Sequence, residues 1–417
     1  MLNLRRLTAV LAGVSVAVGL AAASGAAAAS RNVKAKTPGS VFKVMVITGL
    51  NTTENETPSL LAGVQAGANA VNKTAVKGLG GLKGHRIKVI SCSPNSTPAG
   101  SAMCAREAVA DKVGDVIQLD TYAGDDVPIF AAAGIPHIGT EETGTSQEAN
   151  GKLWYPLIPD SLPEGVAALY YTMKHNPSVK KWAAITVNAP ASALNIAPVA
   201  SLVPRLGGTW LGTTFVTGLD VDLSVPVAKL QAEGAQGVYV LTNPSQAQAF
   251  TTAAAGLGYD PDIIGVSPTF PATNVAGFPN GGKNLVIGAE TPPLNSPLPG
   301  VKKWLADMKA AHVATTANET PDGVTGWLAM WALQKLSQRI KGAVTKASLI
   351  AELHKVGAKN PINLFGLVTW EPGVKGPESE LAPHLAVADV WVLGFANGGY
   401  KLLSSKPSDA WTELGVS

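Results

Sequence analysis

The sequence predicts an α/β fold in which parallel sheets are covered by helices. The first observation is that short apolar runs alternate with amphipathic stretches over residues 41–290. The second is that most of these runs are continuously apolar, which is typical of strands buried on both faces of a sheet. The third is that glycine and proline mark the junctions. Together these patterns favour repeated strand–helix units.

The order of the units indicates two blocks, about 41–158 and 159–290, with LWYPLIPDSLPEG crossing between them. The predicted strands are VFKVMVITG (41–49), RIKVISC (86–92), DVIQLD (115–120), IPHIGT (135–140), KWAAITVN (181–188), GTWLGTTFV (208–216), GVYVLTN (237–243), DIIGVSP (262–268) and NLVIGAE (284–290). The predicted helices cover 57–76, 98–112, 163–175, 192–205, 224–233 and 244–257, and then 299–313, 321–340 and 345–357. Extended runs follow at 363–370 and 385–395.

The N-terminus has the pattern of a secretory signal peptide. Arg5 and Arg6 precede a stretch from Leu7 to Ala29 that holds no charged residue and ends in small residues of the Ala-x-Ala kind. We expect residues 1–29 to be a signal peptide. The alternative is an uncleaved anchor, since an uncharged stretch of this length is long enough to span a bilayer.

The charge balance argues against nucleic acid and anionic membranes as partners. Two of the 32 basic residues lie in 1–29, so 30 remain against 29 acidic residues, a net charge of +1. No later apolar run approaches a membrane span. We therefore expect a soluble exported protein, in the periplasm or at the extracellular face of the cell envelope, whose length suggests two lobes.

Only two cysteines occur, Cys92 and Cys104. In an oxidising compartment the simplest interpretation is one disulfide, which would join a strand end to the helix that follows. The alternatives are two buried thiols or a metal pair. A metal is disfavoured because no histidine accompanies the cysteines at ligand spacing.

No pattern in the chain predicts an enzyme, a cofactor or a metal. The six histidines are scattered, and the acid pairs Asp125–Asp126 and Glu141–Glu142 are more typical of solvated loop edges. GLGGLKG (78–84) and GFPNGGKN (277–284) depart from phosphate-binding loops, because Lys83 and Asn284 stand at required positions and strands follow both segments. An active site assembled from distant residues stays open as an alternative.

The loops that follow the predicted strands are rich in hydroxyl and amide side chains. Ligands of parallel α/β sheets bind beyond the carboxyl ends of the strands, so these loops could line a polar cleft between lobes. The candidate ligand-binding residues are Asn51, Thr121, Tyr122, Thr140, Glu141, Thr143, Asn188, Asn243, Ser267 and Phe270. Each loop also precedes a helix, so helix capping is the alternative for any one of them.

Several stretches, in their order, resemble one known family. They are VMVITGLNTTENETPSLLAGVQAGANAVN with GGLKGHRIKVISCS, CSPNSTPAGSAMCAREAVADKVGDVIQ, IPHIGTEET, and AQGVYVLTNPSQAQAFTTAAAGLGYDPDIIGVSP. The chain resembles the type I periplasmic solute-binding proteins, specifically the branched-chain amino-acid-binding family that serves ABC importers. The likeness covers nearly all of the chain beyond the signal sequence.

The resemblance implies two Rossmann-like lobes joined by three crossovers. Lobe 1 would be 41–158 plus 291–367, and lobe 2 would be 159–290 plus 368–417. A small molecule would bind in the cleft, the lobes would close by a hinge, and a monomer would present the ligand to an ABC permease. A disulfide in the region of Cys92 and Cys104 is found in many members.

The family's amino-acid site matches this sequence only in part. The resemblance implies that hydroxyls and backbone N–H groups at Thr121–Tyr122 and Thr140–Thr143 meet a ligand carboxylate. Lobe 2 of the family supplies an aromatic residue and an acid, but here NAPASA and Ser267–Pro268 stand at those places. A buried ammonium without a counter-charge is costly, so the sequence argues against a standard amino acid. An uncharged or acidic small molecule, an amide or a larger apolar compound fits no worse.

Two functions of other classes compete with solute delivery. The same fold serves ligand-sensing modules that signal to a membrane partner, and exported enzymes occur on similar α/β scaffolds. A bound, unmodified ligand without turnover would argue against an enzyme. Solute binding for an importer is the function that the resemblance favours.

Overall fold

The computed structural model describes residues 39–49, 58–74, 78–95, 97–119, 125–139, 153–357, 359–371, 387 and 389–415. It contains two large sheets with helices on both faces, as the sequence predicts.

The first sheet has five parallel strands in the order β2-β1-β3-β4-β5. They are β1 Gly39–Thr48, β2 His85–Cys92, β3 Asp115–Leu119, β4 His137–Ile138 and β5 Trp154–Tyr155. Four of the five were predicted, and β5 lies in the stretch that was expected to cross between blocks. Its two residues are too few to show a strand pattern.

The second sheet has eight strands. They are β6 Lys181–Val187, β7 Thr209–Val216, β8 Gly237–Leu241, β9 Asp262–Val266, β10 Leu285–Ala289, β13 Asp389–Ala396, β14 Gly399–Leu402 and β15 Ser408–Asp409. The order β14-β13-β10-β9-β8-β6-β7 is parallel from β10 to β7, whereas β13 and β14 run antiparallel at the opposite edge. A separate hairpin joins β11 Ile362–Leu364 to β12 Val368–Trp370.

The helices lie where apolar periodicity predicts them, with ends shifted by a few residues. They are Pro58–Lys73, Pro98–Ala110, Ser161–His175, Pro190–Arg205, Ser224–Ala232, Pro244–Gly256, Pro299–Ala310, Pro321–Arg339 and Lys346–Leu353. The described residues also form the short helices Val127–Ala133, Ala272–Val275 and Ala410–Leu414, which the sequence does not predict. Helices of one or two turns give too few residues for a periodic signal.

The helices Pro58–Lys73 and Pro321–Arg339 pack closely against each other. Glycines face the partner helix, so the backbones approach so closely that a Cβ on Gly63 would overlap the carbonyl oxygen of Gly323. Trp327 and Trp331 on the second helix are buried and meet edge to face with ring centroids 6.3 Å apart. Both tryptophans belong to the hydrophobic core beside the first sheet.

Three hydrogen bonds connect the segments that pass between the sheets. The Trp370 indole donates to the carbonyl of Pro156 at 2.8 Å, and the Trp391 indole donates to the carbonyl of Leu367 at 3.0 Å. The backbone N–H of Thr369 donates to Asp389 at 2.7 Å. Both indoles are buried, so these bonds hold the β11–β12 hairpin against strands of both sheets.

Cys92 and Cys104 form a disulfide with Cα atoms 5.7 Å apart, which confirms the predicted pair. It joins the end of β2 to the helix Pro98–Ala110. Among the described residues, each helix is too short or too polar to cross a bilayer.

Candidate ligand-binding site

The carboxyl ends of β6, β8, β9 and β10 meet at one edge of the second sheet, because these strands are parallel neighbours. Asn188 follows β6, Asn243 lies two residues beyond β8, and Ser267 follows β9. The structure therefore brings three of the predicted ligand-binding residues to the same edge. That edge is where ligands bind in open α/β sheets.

Asn188 is exposed at this edge. Its backbone N–H donates to the carbonyl of Val216 at 2.9 Å, which links the end of β6 to the end of β7. Ser192, four residues on, donates its hydroxyl to the carbonyl of Val187 at 2.6 Å. The main chain around Asn188 is thus fixed, while its amide side chain faces solvent.

Asn243 caps the helix Pro244–Gly256. Its Oδ1 accepts from the backbone N–H of Gln246 at 2.9 Å and from the Ser245 hydroxyl at 2.7 Å. Its Nδ2 donates to the carbonyl of Gly218 at 3.4 Å. The capping alternative is therefore confirmed for Asn243, and its amide is already engaged on both sides.

Ser267 is bound to a buried carboxylate that the sequence reasoning missed. Its backbone N–H donates to Oε2 of Glu164 at 3.0 Å, and its hydroxyl donates to Oε1 at 2.9 Å. Glu164 is 2% exposed. Its backbone lies against Gly288 of β10, where a Cβ would overlap it. The carboxylate thus fastens the helix Ser161–His175 to the end of β9, while the helix backbone lies against β10.

Only a weak sequence signal pointed to Glu164. It stands in the first turn of a predicted helix, where acids are common because they complement the helix dipole. The neighbouring sequence does not distinguish an acid that only complements the helix dipole from one that bonds to a distant strand. The contact with Ser267 joins residues 103 positions apart.

Phe270 lies in the core and not on the polar edge. It is 1% exposed, and its ring meets Phe278 edge to face at 6.0 Å between centroids. Its carbonyl accepts from the hydroxyl of Tyr400 at 2.6 Å. In this conformation its side chain offers no surface to a ligand.

The other predicted ligand-binding residues lie outside the described residues. They are Asn51, Thr121, Tyr122, Thr140, Glu141 and Thr143. They follow β1, β3 and β4 of the first sheet in sequence.

The carboxyl edge of the second sheet is acidic. The first residues of the connections after β6 to β10, with the start of the helix Ser161–His175, are 160–164, 188–192, 217–223, 242–243, 267–270 and 290–296. In sequence they hold Asp160, Glu164, Asp220, Asp222 and Glu290 but no lysine, arginine or histidine. An anionic ligand group at this edge would therefore meet acids without a cationic side chain from these segments to pair with it.

Two helix N-termini at the same edge are occupied by the protein's own caps. Asp160 accepts from the backbone N–H of Leu162 at 2.9 Å, as Asn243 does from Gln246. Helix Pro190–Arg205 begins with proline, which has no N–H to offer. The helix ends thus leave few donors for an anion.

Two buried titratable groups of the first sheet lie at the amino ends of its strands. Asp115 and His137 begin β3 and β4, at the amino ends of the strands. His137 packs between Phe130 and Trp154, and burial lowers its pKa to about 3. Burial also raises the pKa of Asp115. The described residues contain no group of three or more histidine, cysteine or acidic side chains that could hold a metal.

A model of the periplasmic binding protein family matches residues 47–381. Because the match spans well over half of the chain, the chain belongs to the periplasmic binding protein family, the solute-binding proteins of ABC transporters. Membership implies a location outside the cytoplasm. No curated protein sequence matches the chain.

Three solved structures share the fold at low sequence identity. A leucine-, isoleucine-, valine-, threonine- and alanine-binding protein from Brucella ovis, in a closed conformation, has a TM-score of 0.70 and 13% identity, covering 89% of this chain and 96% of that one. A solute-binding protein from Rhodopseudomonas palustris BisB5 in complex with 3,4-dihydroxybenzoic acid has a TM-score of 0.66 and 16% identity, covering 90% of this chain and 99% of that one. A fatty acid ABC transporter substrate-binding protein from Thermomonospora curvata has a TM-score of 0.64 and 15% identity, covering 89% of this chain and 94% of that one. These likenesses show the fold.

Proposed function

We propose that this chain captures a small molecule between two lobes and delivers it to an ABC importer in the membrane. The observation that carries the proposal is the convergence of Asn188, Asn243 and Ser267 at the carboxyl edge of the second sheet. In a periplasmic binding protein fold this is the edge at which a ligand would be held.

The proposed lobes are centred on the two sheets. Lobe 1 comprises 41–158 and a later segment that begins at 291, and lobe 2 comprises 159–290 and the C-terminal segment. We move the third crossover from residue 368 to the connection after Trp370, because Val368 and Trp370 pack in the core of the first sheet. The hinge then includes the bonds of Trp370 and Trp391.

The ligand that we propose is uncharged or cationic where it faces the second lobe. The sequence alone left an acidic ligand open, but Glu164 lies buried beside Ser267, and the connections of this edge add further acids and no cation. Placing an anion there would cost free energy through repulsion and lost hydration. The proteins of similar fold include an amino-acid-binding protein, a complex with 3,4-dihydroxybenzoic acid and a fatty acid ABC transporter substrate-binding protein, so the family does not fix the ligand.

Glu164 also bears on whether an amino group can bind at this site. The acid that Ser267 and Pro268 lack in sequence is supplied in space by a residue of another helix. Glu164 could act on a ligand ammonium through Ser267, whose hydroxyl donates to the carboxylate and keeps lone pairs as acceptors. At this end of the cleft an amine is therefore a better match than the carboxylate of a fatty acid or a benzoate.

A thermal-shift screen of the chain without residues 1–29 tests the proposal. It should compare amines, amides, sugars and zwitterionic amino acids with benzoates and fatty acids of matched size. A ligand at about 100 times its Kd adds about 2.7 kcal/mol, which raises Tm by a few degrees. Shifts from uncharged or cationic compounds support the proposal. Shifts from anions alone overturn the ligand class, and turnover of the bound compound overturns the binding role.

The remaining parts of the proposal concern the state of the chain. We propose that residues 1–29 are a cleaved signal peptide, that the mature chain acts as a monomer, and that it has no enzymatic activity. Mass spectrometry of the secreted protein tests the cleavage, and light scattering tests the monomer.

A further inference from the structure

Four exposed apolar side chains cluster in one segment of the second sheet. Leu219 and Val221 are each 89% exposed, Val225 is 81% exposed and Phe215 is 55% exposed. The segment Phe215–Val225, here called the apolar turn, joins the end of β7 to the helix Ser224–Ala232. Single exposed apolar residues are ordinary, but a contiguous group of this kind marks an interaction surface.

Hydrogen bonds within the protein fix the shape of the apolar turn. Asp220 accepts from the backbone N–H and the hydroxyl of Thr217 at 2.7 and 2.8 Å. The buried Gln246 donates to the carbonyls of Thr217 and Asp220 at 2.6 and 3.2 Å. These hydrogen bonds hold the loop to the protein while its apolar side chains point outward.

The apolar turn is continuous with the candidate ligand-binding site. Asn188 donates its backbone N–H to Val216, and Asn243 donates its side-chain amide to Gly218. β7 is the last strand of the sheet, at the opposite end from β13 and β14. The apolar turn therefore lies at the carboxyl ends of the strands, beside the candidate ligand-binding site. It is on the opposite side of the sheet from β13 and β14, which are near the connections between the sheets. A partner that receives the ligand would approach at the apolar turn.

The charges of the segment select among possible partners. Asp220 and Asp222 are the only charged residues between Arg205 and Lys229. Asp222 is fully exposed, and its pKa is lowered by hydrogen bonds from Ser224. A second copy docked by twofold symmetry would bring like charges together, and an anionic bilayer would repel them. The surface fits a different protein that offers an apolar pocket with a cationic rim.

We propose that the apolar turn is the surface through which this chain docks on its membrane transporter, with Leu219 and Val221 entering an apolar pocket of the transporter. This rests on the proposed function, and it adds a specific contact surface to it. Because the turn is already rigid, docking orders little backbone, which favours affinity.

A photocrosslinking experiment in cells of the source organism tests the proposal. The full chain carries a benzophenone crosslinker in place of Leu219, with the matched control in place of Leu257, which is 40% exposed at the far end of the helix Pro244–Gly256. The expected result is an adduct with an integral membrane subunit of an ABC importer, identified by mass spectrometry, from position 219 only. An adduct with a second copy, adducts with lipid only, or no adduct would each overturn the proposal.

A second variant separates this proposal from the proposed function. Leu219→Ser combined with Val221→Ser, with the crosslinker in place of Val225, should lower the transporter adduct about tenfold or more, as truncating central interface residues does. The same double variant should give the same thermal shift with the ligand found by screening. An unchanged adduct overturns the docking surface alone. If the unaltered chain binds no ligand in the screen, the proposed function itself fails.

Discussion

Among single residues, two of the three predicted polar residues at the carboxyl ends of the second sheet's strands are already engaged within the protein. Asn243 caps a helix, and Ser267 donates twice to Glu164. A buried carboxylate that accepts two hydrogen bonds fixes the positions of its donors. The edge is therefore organised before a ligand arrives, which reduces the entropy that binding must overcome.

Replacing the buried carboxylate tests this organisation. Glu164→Gln removes the charge and turns an amide N–H₂ toward one of the two Ser267 donors. We expect the free energy of unfolding to fall by about 1–3 kcal/mol, as for a buried polar group left unpaired. Urea denaturation measures it. The matched control is Glu107→Gln on an exposed helix face, and an equally small change in both variants would contradict the role of Glu164.

The acid Glu413 makes stability depend on pH. Burial raises its pKa to about 7 from an ordinary 4.5, the charge of Asp409 adds to the rise, and the hydrogen bond from Ser408 opposes it. The folded state therefore binds more protons than the unfolded state between these values. Its contribution to stability grows as pH falls from about 7 to 4.5 and is lost as pH rises through 7.

Glu413→Gln should remove this dependence. The free energy of unfolding of the variant, minus that of the wild type, should increase as pH rises from 5 to 8, because only the wild type loses the contribution of Glu413. Taking this difference cancels the contribution of His137, which is the same in both proteins. The lowered pKa of His137 has the opposite effect, since it makes the protein less stable as pH falls below 6.5. Urea denaturation at several pH values measures it, and a difference that stays constant with pH would contradict the assignment.

Among the helices and strands, the sequence predicted most of the architecture and missed specific pieces. The long strands of both sheets carry continuous apolar runs, so their pattern alone predicted them. The two-residue strand Trp154–Tyr155 and the helix Ala410–Leu414 are set by their neighbours and not by their own pattern. The same limit applies to the site: Asn188 and Ser267 were found from strand ends, whereas Glu164 depends on a contact across the fold.

The glycine contact between the helices Pro58–Lys73 and Pro321–Arg339 predicts a local cost for added volume. Gly63→Ala would place a methyl group against the backbone of Gly323 and force the helices apart. We expect a loss of about 1–3 kcal/mol. The control is Gly256→Ala, where a Cβ meets no atom within 4 Å. If both variants are equally stable in thermal unfolding, the helices do not pack this closely.

The disulfide between β2 and the helix Pro98–Ala110 predicts a stability effect of known size. Cys92→Ser with Cys104→Ser opens a loop with a sequence separation of 12 residues. Chain entropy then predicts a loss of about 3 kcal/mol. Urea unfolding of the oxidised wild type and the double variant measures it. Equal stability of the two proteins would contradict the expectation that the disulfide stabilises the fold by restricting the unfolded chain.

For the whole molecule, the proposed cycle requires the two lobes to move about the hinge. The buried indoles of Trp370 and Trp391 hold the β11–β12 hairpin to segments of both sheets, so motion should be confined to the connections around them. The acidic edge and the apolar turn belong to the second sheet. A closed form would thus present ligand and docking surface together to a transporter.

Small-angle X-ray scattering during a ligand titration tests the central claim most directly. The chain without residues 1–29 is titrated with the strongest compound of the thermal-shift screen. Capture between lobes predicts that the radius of gyration falls and saturates at one ligand per chain. A radius that stays unchanged while the ligand binds with full stoichiometry would contradict capture by closure of a cleft.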